Sequence, residues 1–160
     1  MSALMKLAEA HGHTVSGSDR AKDGHNPDNV KGADLVVYTN AVKNDNCELA
    51  VARCMGIPSV ERARFLADMS RLYGTCVAVA GCHGKSTTTA MTGYALSSLN
   101  PTVHVGAQGA SKIGDRYIFV TEACEYNRSF LKLSPDIAVV LNVAYDHPDS
   151  YESESALEKA

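Results

Sequence analysis

The chain has 160 residues, 45% of them hydrophobic and 21% charged, with a formal net charge of −3. That apolar fraction builds a globular core in one large domain or two small ones. No run approaches the ~20 apolar residues of a membrane span, and no basic stripe marks a nucleic-acid partner. Cys47, Cys54, Cys76, Cys82 and Cys124 form no C-x-x-C pair, so neither a disulfide framework nor a zinc site is expected. The N-terminus lacks the basic-then-apolar order of a secretion signal, which makes the cytoplasm the expected location.

In chain order the pattern alternates helix and strand, the mark of an α/β protein. Leu4, Leu7 and Ala8 share a face of a predicted helix over residues 2–10. A short strand over 13–16 leads to Gly17-Ser18-Asp19, and a compact buried strand follows over 34–38. Residues 48–55 read as a helix, 56–60 as entry to another strand, and 61–72 as a further helix. The pattern restarts at 71–75, which divides the chain into expected domains 1–72 and 73–160. The second opens with a strand from Gly74 and a helix whose apolar positions are Met91, Ala95 and Leu99, with Tyr94 and Leu96 beside them. Asn100-Pro101 then breaks the chain, and strands are predicted over 103–105, 117–121 and 137–141. Residues 151–160 read as the opening of a helix.

The most informative stretch is Val77-Ala78-Val79-Ala80-Gly81-Cys82-His83-Gly84-Lys85-Ser86-Thr87-Thr88-Thr89. A β-rich apolar run enters a glycine-flanked turn, and a Lys-Ser pair opens a helix. In a phosphate loop, amides at such a turn surround phosphate oxygens, the lysine adds a point charge and the serine a Mg²⁺ ligand. The strict G-x-x-x-x-G-K-[ST] pattern is not met, because its first glycine would stand at Val79. An ordinary strand–turn–helix corner would also use Gly81 and Gly84, but it needs neither the lysine nor three consecutive threonines. Residues 81–87 (Gly81, Cys82, His83, Gly84, Lys85, Ser86 and Thr87) are therefore expected to bind a nucleoside triphosphate with Mg²⁺. Thr88 and Thr89 read as packing residues, and Cys82 as a small filler within the loop. A carboxylate is needed to hold the metal. Glu122 ends a predicted strand at the edge where open α/β sheets bind ligands, and Glu125, three residues on, is the competing choice.

Three segments together carry a family resemblance. Residues 81–89 resemble the G-T-H-G-K-[ST]-T-T-T signature of the Mur ligases, the ATP-dependent amide-forming enzymes of peptidoglycan synthesis. Glu122-Ala123-Cys124-Glu125-Tyr126-Asn127-Arg128 resembles that family's acidic second motif, and Asn142-Val143-Ala144-Tyr145-Asp146-His147 its N-x-x-x-D-H motif. The initial Met1-Ser2-Ala3-Leu4 and Gly17-Ser18-Asp19-Arg20 are most similar to the branch that adds L-alanine. Cys82 departs from the usual threonine.

The resemblance implies a Rossmann-like first domain for the UDP-sugar and a P-loop ATPase domain with a mainly parallel sheet. It implies transfer of the ATP γ-phosphoryl to the carboxylate of UDP-N-acetylmuramate, followed by attack of the L-alanine amine on the acyl phosphate. Lys85 and His147 take catalytic roles in that scheme, and Ser86, Glu122 and His147 hold metal. Ser18, Asp19, Arg20, Glu125, Asn127 and Arg128 line the substrate. His83 lines the phosphates or caps the turn, whereas His11, His13, His25 and His104 read as surface or packing residues.

Relative to that family the first strand with its glycine-rich turn, and everything beyond the opening of the central domain, are not represented. The sequence reading is therefore of a partial ligase that does not turn over alone. The rival readings are a nucleotide-binding module without ligase activity, a sister ligase attaching a peptide to the same UDP-sugar, and a small P-loop kinase. The last is disfavoured by the missing first glycine.

Overall fold

The computed structural model describes residues 1–19, 21, 24–106, 111–144, 151, 153 and 155. Helix α1 (Ser2–Ala10) is followed by a 3₁₀ turn (Pro27–Val30), strand β1 (Val36–Tyr38), helix α2 (Cys47–Cys54), strand β2 (Ser59–Glu61) and helix α3 (Arg62–Ser70). Then come β3 (Thr75–Ala80), α4 (Lys85–Ala95), β4 (Pro101–His104), β5 (Asp115–Glu122), a 3₁₀ segment (Tyr126–Lys132) and β6 (Ile137–Val140). The chain is α/β with parallel sheets, as its alternation predicts. β1 and β2 form a parallel pair, and the larger sheet has the order β4-β5-β3-β6, every neighbour parallel.

Alternation along the central strands divides the core by face. Cys76 of β3 and Phe119 of β5 pack with Leu4 and Leu7 of α1, Leu66 and Met69 of α3, and Tyr73. Their chain neighbours Val77 and Val120 point the other way and pack with Val103, Val105 and Leu96. The first cluster thus draws on residues from both sides of the segment 71–75.

Four expectations are corrected. Residues 13–19 form no strand: Val15 is their single large apolar side chain, and Thr14, Ser16 and Gly17 are exposed. That is too little apolar area to fix a ladder. β1 is half-buried rather than buried, because its sheet has only two strands among the described residues. β6 is an edge strand of the larger sheet, and its Ile137 and Val140 are exposed rather than buried.

The fourth correction concerns α4, which does not pack through Met91, Ala95 and Leu99. Met91 and Ala95 are exposed, as is Tyr94, and the exposed Leu99 lies beyond the helix, while Leu96 at its end does pack against the sheet. Its buried residues are Thr89 and Gly93, and a Cβ on Gly93 would lie 2.5 Å from Val103 Cγ2. The helix approaches the sheet so closely that only its small residues fit the contact, and the larger apolar ones turn outward. Thr89 is a packing residue, as expected, and fully buried.

Candidate functional site

The carboxyl ends of β3, β5 and β6 meet around residues 81–84. Gly81 (φ 139°) and Gly84 (φ 85°) both adopt positive φ, a conformation that costs an L-residue a Cβ clash and glycine nothing. Gly81 also meets the chain leaving β6: a Cβ there would lie 3.1 Å from Leu141 Cβ and 3.2 Å from Asn142 N. Gly84 caps α4, and the first backbone bond into that helix runs from Thr88 N–H to Gly84 O, 2.9 Å. The Lys85, Ser86 and Thr87 amides therefore stand in the first turn with no intrahelical acceptor before them. With the positive end of the helix dipole, they form an anion-accepting terminus.

Lys85 Nζ is turned back over the loop, donating to Gly81 O (2.6 Å) and Cys82 O (3.2 Å). It also pairs with the Glu125 carboxylate, at 3.0 Å from Oε1 and 2.9 Å from Oε2. Both side chains are largely buried, so this pair is screened far less than a surface one. Glu125 is held from behind by Tyr151, whose hydroxyl donates to the Glu125 carbonyl at 2.8 Å. The Arg128 guanidinium lies 5.7 Å over the Tyr151 ring. Asn127 and Arg128, both exposed, adopt left-handed φ of 50° and 52°.

Glu122 ends β5 beside Val79 of β3. Its Oε1 is buried with no hydrogen-bond partner among the described residues, and its Oε2 lies 3.2 Å from where a Gly106 Cβ would stand. A cavity of about 220 Å³ opens beside it, lined by Arg62, Leu66, His104, Gly106, Glu122 and Ser129. His104 is 3% exposed. Burial, then the Arg62 charge and the N-terminal amine, lower its pKa to about 4, so the ring is neutral at pH 7. It packs near Phe119 as a core residue, with centroids 6.4 Å apart.

A second polar cluster lies in the first part of the chain. Ser18 Oγ donates to Glu48 Oε2 at 2.8 Å, His25 Nδ1 lies 3.0 Å from the same oxygen, and Asn29 Nδ2 donates to Oε1 at 2.7 Å. Burial alone would raise the Glu48 pKa, but these bonds and the Asn26 amide hold it below the usual carboxylate value. Ser18 thus has a partner within the fold. Asp19 is exposed and accepts a turn-closing bond from the Ala21 amide at 2.8 Å. Arg20 and His147 lie outside the described residues.

The structure thus brings Gly81, Cys82, His83, Gly84, Lys85 and Glu125 together at one strand edge, with Ser86 and Thr87 exposed on the first turn. Ser18 belongs to the separate cluster around Glu48, whereas the exposed Asp19 accepts from the Ala21 amide. Sequence reasoning missed Glu48 and Asn142. Glu48 carried the signal of an acid in the first turn of a helix after an Asn cap. Asn142 was visible as the first residue of its motif, without a role.

The model of the Mur ligase family, catalytic domain, matches residues 1–73, ending before the loop at 81–84. The UDP-N-acetylmuramate–L-alanine ligase of Acetivibrio thermocellus is 44% identical over 95% of this chain and 37% of its own length. That of Caldicellulosiruptor saccharolyticus is 40% identical over 95% and 38%. The chain belongs to the Mur ligase family. Among solved structures, the UDP-N-acetylmuramate–alanine ligase of Thermotoga maritima superposes with a TM-score of 0.84 at 28% identity, covering 99% of this chain and 43% of that one. A murein peptide ligase of Psychrobacter arcticus gives a TM-score of 0.76 at 25% identity, over 93% and 42%. This Mur ligase chain therefore spans less than half the length of these relatives. No helix among its described residues is long and apolar enough to cross a membrane.

Proposed function

We propose that the chain is part of an ATP-dependent carboxylate–amine ligase that adds L-alanine to UDP-N-acetylmuramate through an acyl phosphate. Residues 73–160 form the opening of its ATP domain and 1–72 most of its UDP-sugar domain. The observation that carries this reading is the coincidence of an anion-accepting helix start, a lysine folded over it and two glutamates at the adjoining strand edge. Phosphoryl transfer asks little covalent work of a protein beyond placing groups and neutralising charge. Lys85 would leave the loop carbonyls and Glu125 for the β/γ-phosphates, while the first-turn amides of Ser86 and Thr87 donate to phosphate oxygens.

The donors fit Mg²⁺. It takes an oxygen shell completed by phosphates and water, the Ser86 hydroxyl is exposed, and Glu122 Oε1 is buried with no partner among the described residues. Glu122 is the metal ligand in this reading, because its buried Oε1 has no hydrogen-bond partner among the described residues. In this reading His147 joins Lys85 as the second catalytic group, and Ser18, Asp19, Arg20, Glu125, Asn127 and Arg128 are the substrate contacts.

The test has two parts. The chain should bind Mg·ATP, and Lys85→Ala should abolish that binding. In the full-length protein, phosphate release should require UDP-N-acetylmuramate and L-alanine together. Binding with no substrate-dependent release would leave the nucleotide-binding module, and release on adding a peptide instead of L-alanine would point to the sister ligase.

A further inference from the structure

We infer that Asn142 is the positioning residue of the phosphate loop, and that the chain leaving β6 is the template on which the loop is shaped. The inference rests on the nucleotide reading for its consequence, and on geometry alone for its substance. Asn142 grips the middle of the loop at both polar groups of one peptide residue. The His83 N–H donates to Asn142 Oδ1 at 3.0 Å, and Asn142 Nδ2 donates to His83 O at 3.0 Å. A primary amide is the side chain suited to this, since it offers one acceptor and one donor side by side.

Three further contacts run in the same direction. Leu141 N–H donates to Ala80 O at 3.0 Å, the last ladder bond before the loop. Cys82 Sγ donates to Ala144 O at 2.8 Å and accepts from Ala144 N–H at 3.2 Å. Gly81 leaves just enough room for Leu141 and Asn142 to lie against it, with a would-be Cβ at 3.1–3.3 Å. Residues 80, 81, 82 and 83 are thus each matched to a residue of 141–144. Among the described residues the other side-chain bonds of the loop are those of Lys85 to Gly81 O, Cys82 O and Glu125.

The consequence is functional. Loop amides bind phosphate only if they are aimed before it arrives, and lost aim is paid at binding. His83 is exposed, so the clamp adds little to the core; its effect is on where the amides of 83–86 point. Cys82 takes part through its thiol hydrogen bonds, which gives that departure from the family signature a structural role.

The experiment compares wild type, Asn142→Ala and Asn142→Asp by thermal melting, by amide NMR of residues 81–86, and by Mg·ATP titration. Asn142→Ala should leave the β4 and β5 resonances in place, move those of Gly81 to Ser86, and weaken Mg·ATP about tenfold or more. Asn142→Asp keeps the acceptor for the His83 N–H, so the His83 resonance should return toward its wild-type position. Its added negative charge should still weaken Mg·ATP, in a salt-dependent way. Loop resonances that do not move in Asn142→Ala, or wild-type affinity despite their movement, would overturn the inference. If Asn142→Ala does not fold, the aspartate variant decides through the same readouts. If wild type binds no Mg·ATP, the nucleotide reading fails, while the loop resonances still decide whether Asn142 positions the loop.

Discussion

Lys85 Nζ and the Glu125 carboxylate form a bidentate ion pair, 2.9 and 3.0 Å long, at the mouth of the phosphate loop. The lysine's remaining donors go to Gly81 O and Cys82 O, so its capacity is filled from within the fold. A phosphate that needs Lys85 must compete with Glu125, which acts as an internal counter-anion. Glu125→Gln should remove that competitor and a nearby negative charge together, tightening Mg·ATP binding about tenfold. Isothermal titration of both proteins decides the matter; weaker binding in the glutamine variant would make Glu125 a direct contributor to the metal–nucleotide complex instead.

The close seat of α4 gives a packing prediction. Gly93→Ala places a methyl 2.5 Å from Val103 Cγ2, and the β-branched valine has few rotamers to escape into. Overpacking of this kind costs about 1–3 kcal/mol, against the ~1 kcal/mol that alanine returns in helix propensity. The expected result is a lower urea midpoint with an unchanged slope. Shortening the neighbour in Gly93→Ala/Val103→Ala should restore part of the loss.

His104 sets a pH dependence whose sign follows from its depressed pKa. The unfolded ring titrates near 6.5 and the folded one at about 4, so the unfolded state takes up the proton first as the medium is acidified. Its contribution is complete above pH 6.5, falls as the pH drops toward 4, and is then exhausted. At about 1.4 kcal/mol per unit the loss is on the order of 3 kcal/mol. Urea midpoints between pH 7 and 4 should show this slope in wild type, and a flatter one in His104→Leu.

Glu48 is the anchor of the first polar cluster. Glu48→Ala removes the acceptor shared by Ser18, His25 and Asn29 and should cost about 1–3 kcal/mol for the donors left behind. Glu48→Gln should cost less, since it retains one acceptor oxygen. In the full-length protein the alanine variant should raise KM for the UDP-sugar more than KM for ATP, because it loosens Ser18 while leaving residues 81–85 untouched.

Sequence alone carried most of the order of elements, the glycine-flanked Lys-Ser turn and the family, because each rests on local physics. Apolar spacing specifies a helix or strand, and glycines flanking Lys-Ser specify a turn that exposes amides. It also named Glu122 and Glu125 as rivals for one task, and there it stopped. The tertiary structure gives them different surroundings: Glu122 Oε1 is buried without a hydrogen-bond partner among the described residues, and Lys85 is folded onto Glu125. The same limit explains α4: periodicity marked Met91 and Leu99 as its apolar face, but how near a helix can approach a sheet depends on the strand opposite, and Val103 leaves room only at Gly93. Asn142 lies 59 positions from His83 in the chain. No local pattern carries a contact of that range; the parallel pairing of β3 with β6 creates it by bringing two strand ends side by side.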